Sequence, residues 1–379
     1  MSSELSLDAE RQKQAKRYAR INRRLMLLDL LLGGLYALSW LIFGWSVSLR
    51  NALLSITSNP WLLIPAFTLV FGGIYYLISL PLSYYSSYIL PHRFDQSNQT
   101  RKGWIIDQVK GILLGATLGL IILEIIYAVL RQYPETWWVW AAGFLLVFNI
   151  LLANIAPVLL LPIFYKFTPL SDQHVNLEQR LLSLANRADT RVRGVYQFDM
   201  SRRTKSANAA LTGIGNTRRI ILGDTLLNEF EGDEIETILA HELGHHVHKD
   251  IPIGILVESL ITLIGLYIAA LGLAYGVQML DFFSPADVAA FPLLILVLGA
   301  FGLLTMPLTN AFSRWRERRA DQFALDLTGM GEAYASALVR LADQNLADAD
   351  PEPWVEWLLY SHPALIKRIA MAQAYQDSR

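Results

Sequence analysis

Residues 241 to 245, His-Glu-Leu-Gly-His, are the part of the sequence whose side chains are best placed to do chemistry. On a helix, His241 and His245 are four residues apart and share one face, so two imidazoles can bind one zinc ion. Glu242 is the next residue round the helix, close enough to take a proton from a water molecule that the metal activates. The alternative is a polar helix that carries its four histidines, His241, His245, His246 and His248, without binding a metal.

A catalytic zinc site needs a third protein ligand and one position left for water. The candidate is Glu317, because its arginine-rich segment follows the last apolar span and can lie at the same membrane depth as His241. Asp321 lies four residues later on the same helical face and can accept a hydrogen bond from a ligand imidazole, which would fix its tautomer. The alternative is a juxtamembrane helix in which both acids pair with neighbouring arginines.

His362, which precedes Pro363, is the last polar group of interest. Near a zinc ion, its imidazole could hydrogen-bond the oxyanion that forms when water attacks a carbonyl, and Arg368 could add positive charge. A lone histidine before a proline is more often a helix-start residue, so the residues alone leave both alternatives open.

The composition indicates a membrane protein. The chain is 53% hydrophobic and only 17% charged, whereas roughly a quarter of the residues of a soluble protein are charged. The net charge of −1 does not suggest the basic surface that binds nucleic acid. The chain has no cysteine, so a zinc site must use nitrogen and oxygen ligands. Six apolar runs are long enough to cross roughly 30 Å of hydrocarbon, near 25–45, 61–85, 110–130, 137–162, 251–277 and 289–309. The second run contains Pro81, but one tilted helix is simpler than two short segments.

Charge asymmetry predicts the orientation in the membrane. Of 32 basic residues, only Arg50 and Arg131 fall in the loops on one side. The positive-inside rule therefore places both termini and the long segment after the fourth span in the cytoplasm.

The predicted fold class is mainly α, a polytopic helical membrane protein with a small α/β zinc-metallopeptidase domain at its cytoplasmic face. The predicted regions are 1–24 (cytoplasmic), 25–162 (spans one to four), 163–250 (catalytic, α/β), 251–309 (spans five and six) and 310–379 (cytoplasmic, helical, with the third ligand).

Within the catalytic region, hydrophobic patterns predict a helix over 174–189 and strands over 194–200, 207–215 and 218–223. A further helix begins near Asp233, which has capping-box spacing with Glu236, and carries the histidine motif. Pro252 and Gly254 are expected to interrupt that helix as the fifth span begins.

Several segments, in order along the chain, resemble the type I CAAX prenyl protease family, integral membrane zinc metallopeptidases related to the gluzincins. The matching segments are His-Arg-Phe (92–94), Ser-Asn-Gln-Thr (97–100), Tyr-Lys-Phe-Thr-Pro-Leu (165–170), Ser-Ala-Asn-Ala-Ala-Leu-Thr-Gly (206–213), Arg-Arg-Ile-Ile-Leu-Gly-Asp-Thr-Leu-Leu (218–227), His-Glu-Leu-Gly-His (241–245), Glu317 to Asp321, and His362-Pro363. The resemblance covers the chain from about residue 30 to its end. Known eukaryotic members have one additional span before the first one here, which suggests a prokaryotic member.

The resemblance implies a ring of membrane helices around a water-filled chamber, with one zinc ion near its cytoplasmic end. It also implies a set of roles: zinc ligands His241, His245 and Glu317; general base Glu242; supporting carboxylate Asp321; substrate-binding edge strand Asn208, Ala209 and Ala210; and transition-state stabilisation by His362 and Arg368. In such a mechanism Glu242 takes the proton of the attacking water and later delivers it to the leaving amine.

These expectations describe an endopeptidase of membrane-associated, lipidated or amphipathic peptides in a prokaryotic inner or plasma membrane. One alternative is a quality-control protease of the HtpX type, which shares the zinc motif but normally has fewer spans. A second is a chamber that binds amphipathic chains and uses zinc only as a structural staple, although such a site does not need Glu242. The sequence predicts a peptide substrate and lipid as partners, but not an oligomeric state.

Overall fold

The fold, taken from a computed structural model, is described for residues 6–170, 172–213 and 218–378. The helices of the first half are α1 (Ala9–Ile42), α2 (Trp45–Leu54), α3 (Pro60–Tyr84), α4 (Leu90–Arg93), α5 (Arg101–Gln132), α6 (Trp137–Ile155), α7 (Leu161–Phe164) and α8 (Val175–Arg187). Those of the second half are α9 (Asp224–Glu229), α10 (Gly232–Val247), α11 (Asp250–Met279), α12 (Phe291–Thr328), α13 (Gly331–Gln344), α14 (Pro353–Leu359) and α15 (Leu365–Asp377). The strands are β1 (Phe167–Pro169), β2 (Val195–Phe198), β3 (Ala209–Thr212) and β4 (Arg219–Gly223).

Among the described residues, six helical segments are long and apolar enough to cross a membrane, which confirms the predicted number. They are Ala9–Ile42, Pro60–Arg93, Arg101–Gln132, Trp137–Phe164, Asp250–Met279 and Val288–Thr328. Pro81 lies inside α3 without ending it, so the second span is one helix as predicted. The short helix α2 was not predicted, because its pattern is continuous with the apolar run before it.

The membrane helices pack on one another mainly at the end opposite the histidine motif. A buried cluster there includes Trp40, Phe67, Tyr127, Trp137 and Leu273. Between 0% and 28% of the most apolar stretch of each span is buried, so large parts of these helices do not contact other helices. This arrangement fits the expected ring of helices around a chamber.

A small sheet follows the fourth span. Its strand order is β1-β2-β4-β3, with β2 parallel to β4 and the outer strands antiparallel to their neighbours. The three predicted strands are present. β1 was missed because it is only three residues long and ends in a proline, which is tolerated at a sheet edge. β3 forms the opposite edge, beside α10.

The histidine motif lies on α10, whose N-terminus differs from the prediction. The cap is Glu231, whose side chain accepts from the Glu234 backbone, while the Glu234 side chain accepts from the Glu231 N–H at 2.8 Å. The predicted capping pair, Asp233 with Glu236, is wrong: both carboxylates bind Arg180 of α8, at 2.5 and 2.6 Å. The predicted N-terminus of the helix is two residues too late, because Asp233 and Glu236 form ion pairs with Arg180 instead of capping the helix.

The end of α10 also differs from the prediction. The helix stops at Val247, and Lys249, with φ of 55°, turns the chain into α11. Pro252 therefore does not interrupt α10. It lies in the first turn of α11, where the backbone N–H groups have no partner within the helix and a proline costs little.

Candidate metal centre

Close packing of α10 on α12 brings the two halves of the site together. A Cβ atom added to Gly244 would lie only 3.0 Å from the Ala320 Cα and 3.2 Å from its carbonyl oxygen. A glycine is therefore needed at this position of the histidine motif. The contact places Glu317, one turn before Ala320 on α12, beside the imidazoles of α10.

His241, His245 and Glu317 form the centre, with one ligand atom from each lying within 4.8 Å of the others. The two Nε2 atoms are 3.2 Å apart. The Glu317 carboxylate lies 3.3 Å from the Nε2 of His241 and 3.4 Å from that of His245. The three side chains that the sequence analysis selected as ligands are thus brought together.

Carboxylates fix the tautomer of both imidazoles. Asp321 lies 2.8 Å from the Nδ1 of His241, and Asp250 lies 2.7 Å from the Nδ1 of His245. Each Nδ1 therefore carries a hydrogen, and each Nε2 presents a lone pair to the centre. When both imidazoles are neutral, the two facing lone pairs and the carboxylate form a cluster of three donor atoms that suits a metal cation. Glu317 Oε2 is also buried with no hydrogen-bond partner among the described residues, as expected for a metal ligand.

The carboxylate behind His241 belongs to a buried network. Asp321 is fully buried; it accepts from Arg368 at 2.6 and 2.9 Å, and from the hydroxyl of Tyr334 at 2.6 Å. Burial lowers the pKa of His241, but its contacts with the carboxylates of Asp321 and Glu317 outweigh burial and raise this pKa to about 9. Since a ligand imidazole must be neutral, metal binding at this site displaces a proton.

Arg368 lies behind His241, where it binds Asp321. Its Nε and Nη2 atoms bind Asp321, and Nη2 also donates to Tyr334 at 3.0 Å. The guanidinium thus lies on the Nδ1 side of His241. This geometry favours a positioning role for Arg368, and its predicted direct contact with an oxyanion stays a prediction.

Glu242 and His362 flank the centre without joining the ligand set. Burial raises the pKa of the Glu242 carboxyl, with the positive field of His241 acting against this shift. The His362 Nε2 lies 3.3 Å from Glu317, and its side chain is 58% exposed. Burial of the ring lowers the pKa of His362, so a neutral imidazole that can donate one hydrogen bond stands at the open side of the centre.

The predicted substrate-binding residues lie at the edge strand. Asn208 is exposed and directly precedes β3, and its carbonyl accepts from the N–H of Gly223 at 2.9 Å. Ala209 pairs with Leu222, and Ala210 pairs with Ile221. The structure therefore places Ala209 and Ala210 on an edge strand that pairs with one strand among the described residues, with Asn208 directly before it, next to the helix that carries Glu242.

Sequence reasoning missed Asp250, Tyr334 and Arg316. Asp250 follows His245 by five residues across a helix break, so helical spacing gives no hint of their contact. Arg316 Nε lies 3.1 Å from Asp250 and supports it. A search for acids just beyond the motif helix could have found Asp250, whereas Tyr334, a lone aromatic in an amphipathic helix, gave no signal.

Comparisons with known proteins agree with this geometry. A sequence model of peptidase family M48 matches residues 171–376, and one for the CAAX prenyl protease N-terminal region, described as five membrane helices, matches residues 2–166. That second region contains four of the six candidate spans found here.

Relatives occur in bacteria and eukaryotes. The chain is 30% identical to a Bacillus subtilis protein described as an uncharacterized metalloprotease, YhfN, over 96% of this chain and 86% of that protein. It is 32% identical to CAAX prenyl protease 1 of Saccharomyces cerevisiae, over 86% of this chain and 76% of that protein. The crystal structure of S. mikatae Ste24p superposes with a TM-score of 0.84 at 26% identity, covering 96% of this chain and 89% of that one. The fold, the metal centre and these matches together show that the chain belongs to peptidase family M48 and is an integral membrane metalloprotease.

Proposed function

We propose that the protein is a zinc endopeptidase that cleaves membrane-associated, lipidated or amphipathic peptides at the cytoplasmic face of a prokaryotic inner or plasma membrane. The observation that carries this proposal is the convergence of His241, His245 and Glu317 around a buried carboxylate oxygen that has no partner among the described residues.

Zinc is the metal that this donor set fits best. Two imidazole nitrogens and one carboxylate oxygen are the three protein ligands of many catalytic zinc sites. The chain has no cysteine, and His241 and His245 are both supported through their Nδ1 atoms by carboxylates, as zinc ligands usually are. A zinc ion held there would polarise a carbonyl and lower the pKa of water to roughly 7.

Glu242 is the group that moves the proton. It follows His241 on α10, and its raised pKa brings the carboxylate closer to the operating pH, where a general base is most effective. The carboxylate accepts the proton of the attacking water and then delivers it to the leaving amine nitrogen. The other carboxyl groups at the centre have different roles: Asp250 and Asp321 contact the Nδ1 atoms of the imidazoles, and Glu317 serves as a metal ligand.

The substrate is bound as an added strand. Asn208, Ala209 and Ala210 belong to the open edge beside the centre, where main-chain hydrogen bonds to β3 hold an extended peptide and leave its side chains free. This mode of recognition accepts many sequences, as a protease of diverse membrane-associated peptides requires.

His362 stabilises the negative charge that forms on the scissile carbonyl oxygen, and Arg368 orients the metal ligand His241 through Asp321. His362 is neutral, exposed and adjacent to Glu317, so it can donate a hydrogen bond to a negative oxygen as it forms. Arg368 acts through Asp321, which it holds against His241.

The proposal places residues 163–250 and 310–379, which supply the catalytic groups, on the cytoplasmic side with both termini. The excess of arginine and lysine on this side supports the orientation. The yeast relative is named as a prenyl protease. Prenylated, otherwise lipid-anchored and amphipathic substrates share an apolar part next to a peptide, which the membrane would hold near the centre.

The test is cleavage by the purified protein in lipid nanodiscs, with lipidated and plain peptides of the same sequence. We expect hydrolysis that a zinc chelator abolishes and added zinc restores. Comparative proteomics of membrane fractions from cells with wild-type protein or Glu242→Gln then identifies the natural substrates. Cleavage that persists after complete removal of metal would exclude the proposed chemistry.

A further inference from the structure

The outer edge of β3 is open over only part of its length. Since the Asn208 carbonyl accepts from Gly223, the main chain of Asn208 faces β4. Residues alternate along an antiparallel pair, so the main-chain groups of Ala207, Ala209 and Leu211 face the other way, towards a substrate. Among the described residues, no hydrogen bond reaches these outward groups of Ala209 and Leu211.

At Ala207 the edge is closed by a side chain. The Asn345 carboxamide accepts from the Ala207 N–H at 2.8 Å and donates to the Ala207 carbonyl at 3.3 Å. The residue before Asn345, Gln344, donates from its side-chain amide to the carbonyl of Lys205, two residues before Ala207, at 2.9 Å. Two side-chain amides thus occupy the places that a paired strand would take, and they stop where the open part of the edge begins.

The turn that carries Asn345 is held rigidly. Leu346 has a φ of 49°, a left-handed conformation that a leucine rarely adopts, and its side chain is buried against Ala15 of α1. Gln12, also on α1, binds the chain just after the turn: it donates to the Ala347 carbonyl and accepts from the Ala349 N–H. The backbone conformation is thus imposed by contacts with the first membrane helix.

A blocked position at one end of an edge strand can fix the register of an added peptide, which the strand alone cannot do. Main-chain hydrogen bonds are the same for every residue, so an added peptide can slip by two residues and keep the same face towards the sheet. A slip in the direction of Ala207 would gain further hydrogen bonds if that residue were free. With Asn345 in place it gains none.

We infer that Asn345 is a positioning residue of the peptidase, which fixes the register of the substrate strand and hence the peptide bond that is cut. The inference rests on the proposed function and on substrate binding to β3. It concerns which bond is presented to the catalytic groups, not the hydrolysis itself.

The experiment is a map, by mass spectrometry, of all bonds cut in a set of unstructured peptides by wild-type protein and by Asn345→Ala in nanodiscs. We expect one dominant cut in the wild type. In the variant we expect a second cut, two residues away, whose share of product rises about tenfold, because the freed Ala207 groups can pair with the slipped peptide.

The matched control is Gln344→Ala, which alters the same turn but leaves Ala207 covered and should keep the wild-type pattern. Asn345→Ser, too short to reach Ala207, serves if the alanine variant does not fold. An unchanged single cut in a folded, metal-loaded Asn345 variant would overturn the inference. An inactive or chelator-insensitive wild type would instead count against the proposed function.

Discussion

Charged side chains are buried at both ends of the helical assembly, but two buried carboxylates differ in their surroundings: that of Asp287 pairs with an arginine, and that of Glu317 faces two imidazoles. At the end opposite the metal centre, Arg50 of α2 forms a buried ion pair with Asp287. The Asp287 carboxylate also accepts from the backbone N–H groups of Phe283 and Ala289, each at 2.9 Å. At the metal centre, Glu317 Oε2 is buried without a hydrogen bond among the described residues.

The difference separates a structural use of buried charge from a functional one. A buried charge whose hydrogen bonds are all satisfied fixes geometry, since it ties α2 to the loop before α12. A buried carboxylate that faces two imidazole nitrogens is instead arranged to share a cation with them. The two ends are joined by α11, whose 30 residues span about 45 Å, so each can be perturbed separately.

The largest expected effect is at Glu242. Glu242→Gln keeps the shape of the side chain but removes its basicity, so we expect kcat to fall about 10²- to 10⁴-fold while metal content stays at the wild-type level. Turnover of a peptide and elemental analysis of the same sample measure the two quantities. Near-normal turnover would show that another group moves the proton.

The next largest effect is on the free energy of unfolding, at the opposite end. Arg50→Ala leaves Asp287 buried and unpaired, which should cost about 3–5 kcal/mol, with no change in metal content. The control is Arg131→Ala, a removal of an arginine at the same end that breaks no buried ion pair among the described residues and loses a cation–π contact, 5.2 Å from the Trp61 ring centre, worth about 0.5–1 kcal/mol. Equal unfolding midpoints for the two variants, or loss of metal from Arg50→Ala, would remove the distinction between the ends.

A smaller effect is expected from the carboxylates behind the imidazoles. Asp321→Asn and Asp250→Asn should each weaken metal binding about 10- to 100-fold, because the imidazole loses a charged partner. Asp321→Asn should be the more severe, since it also leaves the buried Arg368 without its counter-charge. Competition with a metal indicator measures both affinities. The reverse order would mean that the Arg368 network does not support His241.

Local patterns in the sequence were sufficient for much of this picture. The lengths of the apolar runs predicted the six spans. Helical spacing selected His241 and His245, and a shared membrane depth selected Glu317. The cap of α10 was misplaced because Arg180, distant in sequence, binds Asp233 and Glu236.

Other features depend on elements that only the fold brings together. Asp250 reaches His245 across a turn at Lys249, Tyr334 reaches Asp321 from α13, and Asn345 reaches Ala207 over a large sequence separation. No periodicity encodes such contacts. The contact of Arg368 with Asp321, which lies on another helix, has the same origin.

The most direct test of the account is the metal content of the purified protein and of Glu317→Ala, measured by elemental analysis. The account predicts about one zinc ion per wild-type chain and strongly reduced occupancy in the variant, with the helical content of both proteins equal by circular dichroism. Full zinc occupancy in folded Glu317→Ala would contradict the assignment of the centre.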